Sequence, residues 1–269
     1  MPENLIELDN VSFAYNENKQ ILTNISMKIP HGKVTAIMGG SGSGKTTILK
    51  LISGQIKANS GKITAFNTDI TNSNNKTLDK IRTKLGMLFQ FGALFTDLNV
   101  YENIVFPLNE HTNLSKKLKD LVVAMKLESV GLTGTQELFP SELSGGMARR
   151  IALARAMALD PELMMYDEPF TGLDPISLNT IAMLIKKLND SLNQTTILVT
   201  HDIPITMKIA DYIYFMSNGK IIAEGTPEEI ATTDNKSVQQ FIKGEINGPF
   251  AYKYNSDKSY DYYLGRESI

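Results

Sequence analysis

Short apolar, β-branched runs alternate with polar turn segments through the first third of the chain, at residues 5–15, 21–29 and 34–38 and again at 62–66 and 85–90. Runs of this composition bounded by turn residues predict strands. One interval breaks the pattern: between residues 46 and 53, Ile48, Leu49 and Ile52 fall at helical spacing and predict one helix set among strands. From about residue 99 to 131 the period becomes helical, with Lys116, Lys117 and Lys119 on a solvated face. The last third returns to strand and helix in alternation. Met164, Met165 and Tyr166 predict a buried strand, residues 196–200 another, and residues 177–192 a helix with Ile181, Leu184, Ile185, Leu188 and Leu192 on one face. Asp174 and Pro175 suit the N-cap and first position of that helix. Residues 212–216 and 220–223 flank Ser217-Asn218-Gly219, a hairpin turn whose Asn-Gly tolerates positive φ. These pieces predict a parallel α/β core with a strand-rich N-terminal layer and an inserted helical region.

Composition narrows the functional classes. The chain has 269 residues, 42% hydrophobic and 21% charged, which is globular and long enough for one large α/β domain or two small ones. With 27 Lys+Arg against 29 Asp+Glu, nucleic acid is not expected as a partner. The absence of cysteine removes disulfides, thiol catalysis and Cys-ligated zinc. Met1-Pro2-Glu3-Asn4-Leu5 has neither a basic nor an apolar targeting segment, and no run approaches the ~20 apolar residues of a spanning helix, so a cytosolic protein is expected. Any work at a membrane would need another chain as anchor. Five of the ten tyrosines (Tyr252, Tyr254, Tyr260, Tyr262, Tyr263) fall in the last eighteen residues.

Three clusters carry chemistry. Gly39-Gly40-Ser41-Gly42-Ser43-Gly44-Lys45-Thr46, followed by Thr47, joins an apolar strand to a helix, the context in which backbone N–H groups converge on a phosphate. Lys45 would reach the β/γ-phosphates and Thr46 would ligate Mg²⁺. Asp167 and Glu168 end the strand that includes residues 163–166, at the sheet edge where parallel sheets place ligands. There Asp167 would hold Mg²⁺ and Glu168 would orient or deprotonate the attacking water. Because neighbours on an extended strand point opposite ways, the two acids are not expected to share a role. Ser144, Gly145 and Gly146 precede a helical run at 148–159, forming a second helix-terminal anion site about a hundred residues from the first. One nucleotide needs one cradle; the second suits a nucleotide bound by another copy or a paralogue.

In order along the chain, Tyr15, the 39–46 loop, Gln90, residues 143–147, residues 163–168, Gly172-Leu173-Asp174 and His201 resemble the A-loop, Walker A, Q-loop, signature, Walker B, D-loop and H-loop of ABC-transporter ATP-binding subunits. The resemblance extends to about Lys243. It implies a P-loop ABC ATPase fold: a RecA-like parallel core, an antiparallel N-terminal β-subdomain and an inserted helical subdomain at about 91–160, together spanning residues 1–243. It also implies a head-to-tail homodimer, with ATP between the Walker A of one subunit and the signature of the other. Tyr15 would then stack on adenine, Gln90 would touch Mg²⁺ and relay nucleotide state to a permease, His201 would contact the γ-phosphate, and Asp174 would cross the interface. Read alone, Tyr15 is more often a core or edge aromatic than a base-stacking one, and His201 is equally a cap. Met147 departs from the usual signature Gln and removes any polar contact made there.

Residues 89–100 and Leu143-Ser144-Gly145-Gly146-Met147-Ala148-Arg149-Arg150 are similar to the ATPases of the Mla phospholipid-transport systems. That likeness implies an integral-membrane permease docking near Phe91, Leu94 and Phe95, a small STAS-domain partner and an MCE-type substrate-binding protein. It implies placement on the cytoplasmic face of the inner membrane and a role in keeping outer-membrane lipid asymmetry in a Gram-negative envelope. Residues 244–269 are similar to that subfamily's aromatic C-terminal extension, which docks on the partner subunit. An ABC ATPase serving another transporter, or a soluble ABC ATPase outside transport, would share every catalytic residue.

Overall fold

Six consecutive buried residues, Val34–Gly39, make the central strand β3 of the computed structural model, which describes residues 3–16 and 19–249. Leu163–Asp167 (β7) and Thr195–Thr200 (β8) are also buried throughout, and Tyr212–Ser217 (β9) is buried except at its ends. Runs without a polar face are what a sheet covered on both sides requires. With Leu85–Leu88 (β6) and Lys220–Gly225 (β10) they form one sheet in the order β10-β9-β3-β8-β7-β6, parallel except for the antiparallel pair β9 and β10. The pleat divides side chains between two cores. Ile37, Met165, Ile197 and Val199 enter one; Ala36, Met38, Met164, Tyr166 and Leu198 enter the other.

The first core is closed by a second, antiparallel sheet of Asn4–Ala14 (β1), Gln20–Pro30 (β2), Ser60–Ala65 (β4) and Thr68–Asp69 (β5), ordered β2-β1-β4-β5. Helices Lys45–Ile52 (α1) and Asn75–Arg82 (α2) join it, burying Ile48, Leu49, Leu78 and Ile81. On the other face, Val100–His111 (α3), Lys116–Ser129 (α4), Gly145–Ala156 (α5) and Pro175–Leu192 (α6) bury Ile104, Leu108, Val123, Leu127, Ile151, Leu153, Ile181 and Ile185. Ile203–Ile209 (α7), Pro227–Thr232 (α8) and Lys236–Lys243 (α9) complete the chain's described α-helices. Among the described residues no helix is long and apolar enough to cross a membrane.

The expected parallel core, N-terminal strand layer and helical insertion are all present, with local differences. The helical stretch at 99–131 is two helices, separated where Thr112 turns extended (φ −137°). Asn99 opens the first of them with a reciprocal cap, accepting from the Glu102 N–H while Glu102 accepts from its own. The strand expected at 85–90 stops at Leu88, which leaves Gln90 in the following turn. Asp174 caps α6 as predicted, its Oδ1 accepting from the N–H groups of Ile176 (2.9 Å) and Ser177 (3.0 Å). Asn218 (φ 47°) and Gly219 (φ 70°) turn the β9–β10 hairpin, and the Gly219 carbonyl accepts from Thr23 N–H at 2.9 Å, tying the hairpin to the second sheet. The five C-terminal tyrosines lie outside the described residues.

Candidate functional site

The turn from β3 into α1 uses its glycines for two different reasons. A Cβ on Gly39 would sit 2.2 Å from the Met216 carbonyl oxygen, and one on Gly44 would sit 2.6 Å from a Leu22 methyl, so the loop is pressed onto β9 and β2. A Cβ on Gly40 or Gly42 would meet nothing within 4 Å; these two face open space. Helix α1 then starts with no side chain accepting from its first amides, leaving those donors and the positive end of the helix dipole for an anion. Lys45 lies beneath the loop, donating to the carbonyls of Gly39 (2.8 Å) and Gly40 (3.0 Å), with its Nζ 3.7 Å from Glu168 Oε1. Burial pushes the Lys45 pKa below the ordinary lysine value, while the carboxylates of Glu168 and Asp167 pull it back up. Gly39→Ala meets backbone on one side and an unfavourable φ of 141° on the other, which no rotamer relieves. The expected cost is roughly 3 kcal/mol, or about 6–12 °C in thermal midpoint, together with loss of the stabilisation normally given by added nucleotide. A melting curve with and without ATP checks both; an unchanged midpoint would contradict the packing described.

Across the loop, Asp167 is only 8% exposed and its Oδ1 accepts from Thr46 Oγ1 at 3.0 Å. Burial raises its pKa, and the Thr46 hydrogen bond opposes that rise. Thr46, Asp167 and the Gln90 amide offer hard oxygen donors, and among the described residues no cluster of three or more His, Cys, Asp or Glu could cage a metal. One carboxylate and a hydroxyl fit a Mg²⁺ that keeps water and phosphate ligands, the usual habit of that ion beside nucleotides.

The acidic pair departs from the sequence expectation in one respect. Strand β7 ends at Asp167, and Glu168 adopts a positive φ of 50° while its N–H still donates to the Val199 carbonyl (2.8 Å). A turn, not strand alternation, separates the two carboxylates; Glu168 lines the cleft and Asp167 sits behind it. Asp167 meets Thr46; Glu168 meets Lys45 and, at 2.8 Å from its Oε2, His201 Nδ1. With the proton on Nδ1, His201 donates to Glu168, and Nε2 remains available on the exposed side of the ring.

These groups wall a cleft of about 690 Å³ at the carboxyl edge of the parallel strands. Gly40, Ser41, Gly42, Ser43, Gly44, Lys45, Thr46 and Thr47 form its floor, and Tyr15, Gln90, Glu168 and His201 its sides. Tyr15 is 56% exposed, packed edge-to-face on Phe13 with ring centroids 4.8 Å apart, and so keeps a face open. Gly39 and Asp167 stand behind the lining. Lys19, Ile21, Thr171 and Phe241 also line the cleft and were not anticipated; they come from three separate segments that no local pattern links. A second cleft of about 650 Å³, lined by His31, Phe66, Lys84, Glu162 and Gln194 among others, sits at the opposite, amino edge. It lacks a glycine loop, and its Lys84 is paired with Glu162 at 2.9 Å.

Ser144, Gly145 and Gly146 are not part of the cleft. Ser144 caps α5, its Oγ accepting from Met147 N–H at 3.2 Å, and the two glycines are the first residues of the helix, not a linker before it. Ser144 and Gly145 are exposed, Gly145 faces open space, and Met147 packs against the core. Between the two regions, Phe91 is 84% exposed, Leu94 packs inward, and Phe95 leans on Phe106 with centroids 4.9 Å apart. Asn103, fully buried, shapes this segment: it accepts from Phe95 N–H and donates to the carbonyls of Phe95, Leu98 and Asn99.

A strand, glycine loop and helix opposite a buried Asp167 followed by a partly exposed Glu168 is the geometry of a P-loop nucleotide site, and the model of the ABC transporter family matches residues 22–171. The chain belongs to the ABC transporter family. It is an ATP-binding ABC ATPase. It is 52% identical over 254 residues to the "Intermembrane phospholipid transport system ATP-binding protein MlaF" of Haemophilus influenzae, covering 94% of this chain and 96% of that protein. The protein of the same name in Escherichia coli K12 is 47% identical over 251 residues, 93% of each chain. Among solved structures, cbiO1 from Clostridium perfringens, part of the ABC transporter complex cbiONQ, superposes with TM-score 0.80 at 29% identity, covering 91% of this chain and 96% of that one. The dimeric post-hydrolysis structure of the ATP-binding cassette MJ0796 with ADP and Pi gives TM-score 0.75 at 30% identity, covering 82% of this chain and 98% of that one. The ABC cassette fold accounts for both sheets described above.

Proposed function

We propose that this ABC ATPase is the motor subunit of an envelope complex that moves phospholipids. The carrying observation is a cleft holding the loop and acidic groups together, and a helix start outside it where Ser144 and Gly145 are exposed. Such a division of one site between two surfaces suits a head-to-tail homodimer in which each signature closes over its partner's nucleotide. The lipid assignment is supported by the 52% and 47% identical relatives named for phospholipid transport. In this reading an integral-membrane permease seats near Phe91, a STAS-domain protein and an MCE-type protein complete the assembly, and the subunit works on the cytoplasmic face of the inner membrane. Residues 1–243 form the nucleotide-binding domain, with the helical subdomain at about 91–160, and residues 244–269 clasp the neighbouring subunit.

The chemistry follows from the side chains in place. Loop amides and Lys45 bind the phosphates of ATP, and Tyr15 offers its open face to adenine. Glu168 accepts a proton from water as the water oxygen bonds to the γ-phosphorus and the bond to the β–γ bridging oxygen breaks, releasing ADP and phosphate. His201 holds Glu168 in orientation from its Nδ1 and presents Nε2 towards the γ-phosphate. Thr46, Asp167 and Gln90 would hold Mg²⁺, which supplies charge neutralisation at the phosphate oxygens.

The test is purification of the tagged full chain from membranes in gentle detergent, with mass spectrometry of the retained proteins and lipids. A permease and bound phospholipid are expected in stoichiometric yield, and a chain cut after Lys243 should return less dimer on a sizing column. A lone soluble species would sink the transport reading, and an unaltered dimer yield after the cut would remove the clasp.

A further inference from the structure

Arg149, on α5, is only 6% exposed, yet among the described residues its guanidinium makes no salt bridge. Burying a cation without a counter-ion is costly, and here the compensation comes entirely from backbone carbonyls. Nη1 donates to Phe89 (3.1 Å) and Gln90, and Nη2 donates to Thr171 (3.2 Å). The desolvated environment lowers its pKa in keeping with that burial.

The three acceptors lie on two segments far apart in sequence. Phe89 and Gln90 begin the turn that continues into Gly92 (φ 74°) and Ala93 (φ 52°), a pair of left-handed residues that is strained at the alanine. Thr171 closes the turn after Glu168, its N–H donating to the Glu168 carbonyl (3.3 Å), and leads directly to Gly172, Leu173 and Asp174. A planar fork with donors on two edges can hold both segments at once; an ammonium on a flexible stem holds one of them well. Arg155, also on α5, adds a bond to the Gly92 carbonyl (2.9 Å) but does not reach Thr171.

We propose that Arg149 is a positioning residue that fastens the Gln90 turn and the Thr171–Asp174 turn to α5 as one unit, so that displacement of either carries the other and the signature helix with it. The functional meaning of this coupling rests on the roles proposed above for Gln90, Ser144 and Asp174; the fastening itself does not.

The experiment uses the full chain in its purified membrane complex, comparing Arg149→Lys and Arg149→Gln with the unsubstituted protein by amide hydrogen exchange and by ATP hydrolysis. The amides to follow are Gly92, which donates to the Phe89 carbonyl (2.8 Å), and Leu173, which donates to the Phe170 carbonyl (3.2 Å), with Leu153 and Ala154 inside α5 as the reference. In Arg149→Lys, exchange at both Gly92 and Leu173 is expected to quicken about tenfold with the α5 amides unchanged, and kcat to fall about tenfold with KM for ATP within about twofold. Unchanged exchange at either turn overturns the proposal. So does exchange that quickens throughout α5, because Arg149 would then be stabilising a helix and not joining two turns. Unchanged kcat in a folded variant overturns it as well, and if Arg149→Gln does not fold, Arg149→Lys decides. Absence of hydrolysis in the unsubstituted complex would count against the proposed function instead, leaving the exchange pattern to judge Arg149.

Discussion

Replacing Glu168 with Gln is expected to slow ATP hydrolysis by about 10²–10⁴-fold, the usual contribution of a positioned general base, while nucleotide binding stays within about threefold. The amide keeps the shape of the carboxylate and can still accept from His201 Nδ1, now 2.8 Å from Glu168 Oε2. What it loses is the capacity to take a proton. It also removes a negative charge 3.7 Å from Lys45, in a cleft that has to receive a polyanion, so binding should not weaken. The proposed pairing adds that hydrolysis-blocked chains accumulate as closed dimers with ATP. Phosphate release, nucleotide titration and a sizing column measure the three effects; hydrolysis within threefold of the unsubstituted protein would sink the assigned role of Glu168.

Lys45→Ala is expected to act on the other side of that balance, weakening nucleotide binding. A buried ammonium that already gives up solvent to bond two carbonyls can transfer those donors to phosphate oxygens, and charge-assisted bonds are worth about 1.5–3 kcal/mol each. Loss of two costs about 3 kcal/mol or more, on the order of a hundredfold in affinity. The fold should survive, since the freed carbonyls of Gly39 and Gly40 border a cleft that water can enter. A fluorescent nucleotide titration checks this, and affinity within threefold of the unsubstituted protein would show that Lys45 is not a phosphate ligand.

Features fixed by local stereochemistry were legible before any coordinates. The 39–46 loop, the Asp174-Pro175 helix start and the Asn218-Gly219 turn each depend on backbone angles or caps that few residues supply, so residue type alone carries the information. The buried strands were legible for a related reason: short apolar runs such as residues 163–166, bounded by polar and turn residues, suit a doubly covered sheet. The short C-terminal helices were not, since six to eight residues hold too few turns for a period to emerge, although Asp202, Thr226 and Asn235 cap them in the ordinary way. Glu168 was placed on the wrong kind of backbone because the strand ends at Asp167, one residue short of it, and a positive φ that the residue type does not signal turns the chain there. Arg149 was invisible for a different reason. An arginine followed by a second arginine near a helix start reads as surface, and only the packing of α5 against the Gln90 turn encloses it. Phe241 reaches the cleft from α9, stacked edge-to-face on Phe215 of β9 at 5.1 Å, a contact set by tertiary structure alone.

The separation of Ser144 from the cleft on the same chain has a genetic consequence. Consider one allele defective at Lys45 and another defective at Ser144, each inactive when its product pairs with itself. In the proposed head-to-tail pairing, a mixed pair gathers both lesions into one composite site and leaves the other with an intact loop and an intact signature. Two silent alleles expressed together would therefore restore activity in a fraction of assemblies, whereas a single allele carrying both lesions would poison every pair it joins.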